Sequence, residues 1–165
     1  AGKLPPTQRA MFVFLGKLFG MAMRTREYLS LSLSPVVWKL LGNDSLTRDD
    51  LEGIDTLLLT SMDSLRNIDQ QGVTADIFQD VVMENFTTVG ADDQTVELCP
   101  GGSKMEVTFE NRHEYAQMVE NFHLHEFDEQ VAAIREGLSM MVPQKILTLF
   151  TWDEIETLVS CSTSV

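Results

Sequence analysis

Met11-Phe12-Val13-Phe14-Leu15-Gly16-Lys17-Leu18-Phe19-Gly20-Met21-Ala22-Met23 is the stretch on which the fold turns. At about 100° per residue its apolar side chains wrap most of a helical wheel, so residues 8–24 read as a helix buried on nearly all sides. Gly16 and Gly20 stand four apart, on one helix face, and would let a second helix approach closely. In a bilayer that pattern marks helix association. Here Lys17 and Arg24 interrupt the run, and no stretch reaches the ~20 apolar residues of a membrane span. No membrane insertion is expected, and the glycines point to close packing inside a globular core.

Outward from this helix, Ser34-Pro35 opens a second one, with Val36, Val37, Leu40 and Leu41 facing inward and Gly42-Asn43-Asp44 ending it. Thr47 caps a short segment through Leu51, favoured at its start by Asp49 and Asp50. Ile54 to Asn67 reads as a helix with Ile54, Leu57, Leu58, Met62 and Leu65 on one stripe and Leu59 off it. Beyond Gly72 a short helix around Thr74–Asp80 leads into three β-rich segments, 86–89, 95–98 and 105–109. Gly90-Ala91-Asp92-Asp93 and Pro100-Gly101-Gly102-Ser103 separate them as turns, so a small antiparallel sheet is expected. Helix resumes near Glu110. Its inward face rotates by roughly a third of a turn across His123–Asp128, implying two consecutive helices or one bent helix. Pro143 ends that segment, and a last helix over Asp153–Val159 is capped by Thr151.

A chain of 165 residues, 44% hydrophobic, can bury a real core. Its formal charge of −13 argues against nucleic acid, which needs clustered cations to displace phosphate counterions. Such a charge suits solubility or a basic protein partner and identifies neither. Cys99 and Cys161 form neither a disulfide framework nor a metal spacing, so a cytosolic or nuclear setting with reduced thiols is the expectation. There is no secretory signal pattern at the start.

Residue chemistry yields no active site. Asn43 to Ile54 resembles a calcium loop only superficially, with Arg48 at the sixth place and Ile54 at the twelfth. Gly101-Gly102-Ser103-Lys104 lacks the order of a phosphate loop and reads as a hairpin turn. His123 and His125, two apart on a helix, point nearly opposite ways and cannot share a metal, so with His113 they read as surface or cap residues. Neither cysteine has a His or Lys nearby in sequence to lower its pKa. No cofactor and no metal are called for.

These segments, in this order, resemble the N-terminal lobe of HECT-type ubiquitin ligases. Phe12 to Arg24 is similar to that family's F-x-F-x-G-x-x-x-G-x-A-x-R helix, Ser34 to Lys39 to its A-P-x-V-W-K segment, and Thr47 to Asp55 to its L-T-x-x-D-L-x-x-x-D. Pro100-Gly101-Gly102, Val107-Thr108 and Asn111 to Tyr115 resemble P-G-G, V-T and N-x-x-E-Y. Gln130 to Gly137, Val142-Pro143, Leu149 to Thr151 and Glu154 to Leu158 complete a likeness covering essentially the whole chain. The Gly72-Val73-Thr74 insertion and Val131 to Gly137 look most like the giant HERC-type members. Two positions depart from the pattern. Phe127 stands where a Ser helix cap is common, with Asp128 placed to take over, and Ser162 stands where a Cys-Gly pair usually closes the lobe.

The resemblance implies an α+β, mostly helical lobe: a larger helical subdomain over 1–43 and 119–165, and a conjugating-enzyme-binding subdomain over about 44–118 containing the sheet. Family members transfer ubiquitin through a cysteine in a T-C-F/x context near their C-terminus. Neither Leu98-Cys99-Pro100 nor Ser160-Cys161-Ser162 fits, and Cys161 aligns with a structural cysteine closing the N-lobe. The expectation is therefore a piece of a ligase without its catalytic C-lobe. Alone it would be inactive, but it would bind a ubiquitin-charged conjugating enzyme and meet ubiquitin only as that thioester. The resemblance places Leu58, Met62, Leu65, Phe86, Tyr115 and Val119 in the docking groove. Tyr115→Ala would then weaken binding without unfolding the domain. The alternative is a scaffold that meets no conjugating enzyme.

Overall fold

The computed structural model describes residues 4–160. Cys161 and Ser162, to which closing positions were assigned above, lie outside the described residues. The helices are α1 (Pro6–Thr25), α2 (Pro35–Gly42), α3 (Arg48–Glu52), α4 (Thr56–Arg66), α5 (Phe78–Val81), α6 (Arg112–His125), α7 (Asp128–Met141), α8 (Gln144–Leu147) and α9 (Trp152–Ser160). Strands β1 (Thr87–Val89) and β2 (Thr95–Glu97) make one antiparallel sheet with Thr88 opposite Val96. The fold is α+β and mostly helical. The chain divides into two compact units, residues 51–126 and residues 2–50 with 127–165, the first division falling within α3.

The unit formed by the two chain ends is built on α1 against α7. A Cβ on Gly16 would lie 1.9 Å from the Ile134 carbonyl oxygen, and one on Gly137 would lie 1.9 Å from that of Val13. Gly20 is similarly pressed against Met141. Each helix thus supplies glycine where the other's backbone passes, an approach that any side chain would block. Phe19, Trp38, Ile134, Leu138, Ile155 and Val159 lie within the resulting core. The expectation that α1 is buried on nearly all sides is corrected: Met11, Phe14 and Met21 are 65, 60 and 48% exposed. The wheel counts apolar residues, whereas burial needs packed partners, and this side of α1 has none among the described residues.

Local chemistry sets the ends of these elements. Ser34 Oγ accepts from the Val36 N–H, Pro35 takes the first helical position, and Asn43 closes α2 in the left-handed conformation (φ 64°). Asp50 reaches back to the Thr47 N–H at 2.8 Å, and Glu154 to the Thr151 N–H at 2.9 Å. Both are the returning half of a capping box. Lys39 Nζ lies 2.5 Å from Asp50 and over the Trp152 ring. Burial pushes the Asp50 carboxyl up, but hydrogen bonds from Lys39 and Thr47 outweigh it and hold the group below its ordinary value. Phe127 is the N-cap residue of α7 and makes no side-chain cap bond.

In the 51–126 unit the third β-rich segment does not become a strand. It joins β1's lead-in through one bridge, Asn85 to Glu106, with Phe86 donating to the Met105 carbonyl and Val107 to that of Glu84. Asn111 then captures the backbone: its Oδ1 accepts from the Thr108 N–H at 2.6 Å and its Nδ2 donates to the Glu106 carbonyl. Those side-chain bonds compete with a ladder and stop it. The short helix expected around Thr74–Asp80 sits later, at Phe78–Val81.

Candidate functional site

All six residues assigned to the groove fall in one hydrophobic cluster of the 51–126 unit. Phe86, Tyr115 and Val119 are its buried members, at 2, 6 and 1% exposure, together with Ile68, Phe78 and Val107. Leu58, Met62 and Leu65 are half-buried against it from α4. The α6 spacing explains the division: Tyr115 and Val119 are four apart and face inward together. On α4, Leu58, Met62 and Leu65 form an i, i+4, i+7 stripe between core and solvent.

Two α4 expectations reverse. Leu59, placed off the stripe, is the buried α4 residue at 6%, whereas Leu57 is 76% exposed and Ile54, just before the helix, 46%. Adjacent residues lie 100° apart, so a five-member stripe is too wide for one packed face. Its outer edge is left in water.

Tyr115 is pinned rather than presented. Its hydroxyl donates to the Thr87 carbonyl at 3.1 Å, and its ring meets Phe86 edge-on with centroids 5.5 Å apart. Burial pushes its phenol pKa up, and the nearby Glu84 carboxylate adds to the shift. Removing such a ring opens a core cavity, so Tyr115→Ala tests folding as much as binding. The expectation that Tyr115→Ala leaves the fold intact is at odds with this burial.

Side chains distant in sequence hold this cluster's frame, and sequence reasoning missed them. Arg66, at the end of α4, grips Glu120 of α6 with two bonds, 2.6 and 2.9 Å, while Glu120 is only 7% exposed. This planar fork matches a carboxylate in a way lysine cannot. Arg112 is 8% exposed, stacks on Phe109, donates to the Phe109 carbonyl and pairs with Asp69 at 3.3 Å. His123 bridges Thr88 Oγ1 (3.1 Å) and Glu126 (3.4 Å), and Glu126 also accepts from the Ala91 N–H. The β1–β2 turn is thereby tied to the end of α6. Only Arg112 fell inside a recognised motif; the other pairs left no local signal.

A cleft of about 670 Å³ lies between β2 and α6, lined by Val96, Leu98, Met118, Phe122 and Leu124 with Glu97 and Glu114 among its polar residues. None of the six groove residues lines it. Glu97 accepts from Ser103 Oγ, and from the Ser103 N–H at 3.1 Å, which holds its carboxyl below the ordinary range. Cys99 is a half-buried free thiol packed beside the core cluster. Among the described residues no group of His, Cys, Asp and Glu is arranged to hold a metal, and no helix is long and apolar enough to cross a membrane.

The chain is similar to the E3 ubiquitin-protein ligase HERC2 of Homo sapiens, 39% identical over 160 residues, and equally to that of Mus musculus; the match takes in 97% of this chain and 3% of each relative. It is 28% identical over 155 residues to the E3 ubiquitin-protein ligase pub1 of Schizosaccharomyces pombe, covering 93% of this chain and 20% of that protein. The chain thus spans a small part of the curated relatives it matches. The HECT-domain (ubiquitin-transferase) model matches residues 2–165, and with that coverage the chain belongs to the HECT family.

Proposed function

We propose that this chain docks a ubiquitin-conjugating enzyme, and that the protein containing it passes ubiquitin from that enzyme to a cysteine outside this sequence. The observation that carries the reading is the gathering of all six groove residues into one cluster, three forming its floor and three its half-open edge. Leu58, Met62 and Leu65, extended outward by Leu57 and Ile54, give an incoming loop an apolar surface along α4 and the residues that lead into it. Desolvated apolar anchors of this type dominate protein interfaces. Tyr115, Phe86 and Val119 support that surface from below instead of touching the partner over any large area.

The chain's contribution to catalysis is then placement. Holding a thioester-charged enzyme near the accepting cysteine turns an encounter between molecules into a local one. Leu58→Ala with Met62→Ala tests this. The pair should weaken conjugating-enzyme binding at least about tenfold in a calorimetric titration, since each truncated anchor typically costs more than ~1 kcal/mol. Circular dichroism should report a folded chain. Unchanged affinity in the folded variant would overturn the assignment.

A further inference from the structure

The cleft between β2 and α6 is distinct from the α4 face, since none of the six groove residues lines it. Val96, Leu98, Met118, Phe122 and Leu124 make it apolar, and no lysine or arginine lines it among the described residues. Of its glutamates, Glu97 is bonded to Ser103 and Glu120 to Arg66. Glu114 is exposed and makes no ion pair among the described residues. The cleft's volume of about 670 Å³ lies within the range of sites that take small ligands or short peptide segments.

β2 borders this cleft with an open edge, because among the described residues it pairs with β1 alone. The Gly90 N–H donates to the Gln94 carbonyl and the Leu98 N–H to the Phe86 carbonyl. Between those two bonds the ladder alternates, so Thr88 and Val96 bond each other while the N–H and C=O of Thr95 and Glu97 turn outward. Val96 and Leu98 share the sheet face of Thr88, whose hydroxyl meets His123 of α6. A free strand edge beside an apolar trough suits an extended peptide. Its backbone bonds the edge, and every second side chain enters the trough.

Charge selects among such peptides. Residues 51–126 hold fifteen Asp and Glu against three Lys and Arg, whereas the remaining residues nearly balance at ten against nine. That field favours a cationic ligand, and Glu114 offers it a specific contact. We propose that an extended segment of another polypeptide adds to the outer edge of β2, with two apolar side chains in the cleft and a lysine or arginine beside Glu114. The α6 stretch from Glu114 to Leu124 is about 15 Å long, which matches about four to five residues of extended chain. This is a second binding site, independent of docking at α4.

The test titrates the 165-residue chain, labelled at its methionine methyls, with the peptide acetyl-Lys-Thr-Val-Thr-Leu-Thr-Lys-amide. Valine and leucine form its apolar row, and a lysine at each end reaches Glu114 in either strand direction. Met118 lines the cleft and Met62 lies on α4, so the two signals separate the sites. Met118 should show the largest shift and saturate with a Kd of about 1 mM or tighter. Replacing both lysines by glutamate should weaken binding at least about fivefold, and Glu114→Gln, at an exposed position, about two- to fivefold. Methylating the central threonine nitrogen, which removes a donor to the β2 edge, should cost about two- to tenfold. The proposal is overturned by no saturable shift up to about 5 mM, or by a largest shift at any methionine other than Met118. Equal binding of the glutamate or the methylated peptide would overturn it as well.

Discussion

Tyr115 separates stability from recognition at this site. Its ring is 6% exposed, packs edge-on against Phe86 and donates one hydrogen bond to the Thr87 carbonyl. Tyr115→Phe keeps the ring and loses only that neutral bond, at a cost of about 0.5–1.5 kcal/mol. Tyr115→Ala removes the ring from a packed cluster, at about 3–5 kcal/mol. Whole domains are stable by only about 5–15 kcal/mol, so the alanine variant sits near the unfolding threshold while the phenylalanine variant stays folded. Urea unfolding followed by circular dichroism gives both differences, and calorimetry with a conjugating enzyme gives binding. The expected pattern is a modest loss of stability with near-parental affinity for Tyr115→Phe, and a large loss of stability for Tyr115→Ala. The reasoning is refuted if Tyr115→Ala leaves the unfolding free energy within about 0.5 kcal/mol of the parent, a change typical of surface sites.

Two further predictions test the other unit. Gly137→Ala places a Cβ 1.9 Å from the Val13 carbonyl oxygen, so α1 and α7 must part. The overpacking cost of about 1–3 kcal/mol or more outweighs the ~1 kcal/mol gained in helix propensity, and the melting temperature should drop by several degrees. A rise in melting temperature would contradict the packing. Asp50 has a folded pKa below its ordinary 3.8, so its contribution to stability is full above that value and disappears as pH falls through the lower folded one. In melts between pH 2 and 6, Asp50→Asn should lower stability at the upper end of the range and approach the parent at the acid end; parallel curves across the range would count against the Lys39–Asp50 pair.

What could be read from the sequence was whatever is local. Gly16 and Gly20 announced a close helix contact, and Ser34-Pro35 and Asn43 bounded α2, because caps and glycine spacing act within a few residues. The six residues gathered in one hydrophobic cluster were named from ordered motifs rather than from periodicity, which put exposed Leu57 on α4's inward stripe and left buried Leu59 off it. The third strand failed because β-propensity over 105–109 carries no notice that Asn111 will bond to that backbone. Arg66–Glu120 and His123–Thr88 join residues 54 and 35 apart in sequence, and such pairs exist only once the helices have packed. The charge division between units was hidden for the same reason: a chain total of −13 does not say where the charge gathers.

Methionine methyl spectra offer the most direct test of docking at α4. The chain has nine methionines, and they sample both units: Met62 lies on the α4 stripe, whereas Met11, Met21 and Met140 are exposed in the other unit. Titrating a conjugating enzyme into the methyl-labelled chain should shift or broaden Met62 while the Met11, Met21 and Met140 signals stay in place. Saturable binding that leaves Met62 unmoved and perturbs those three instead would contradict the account.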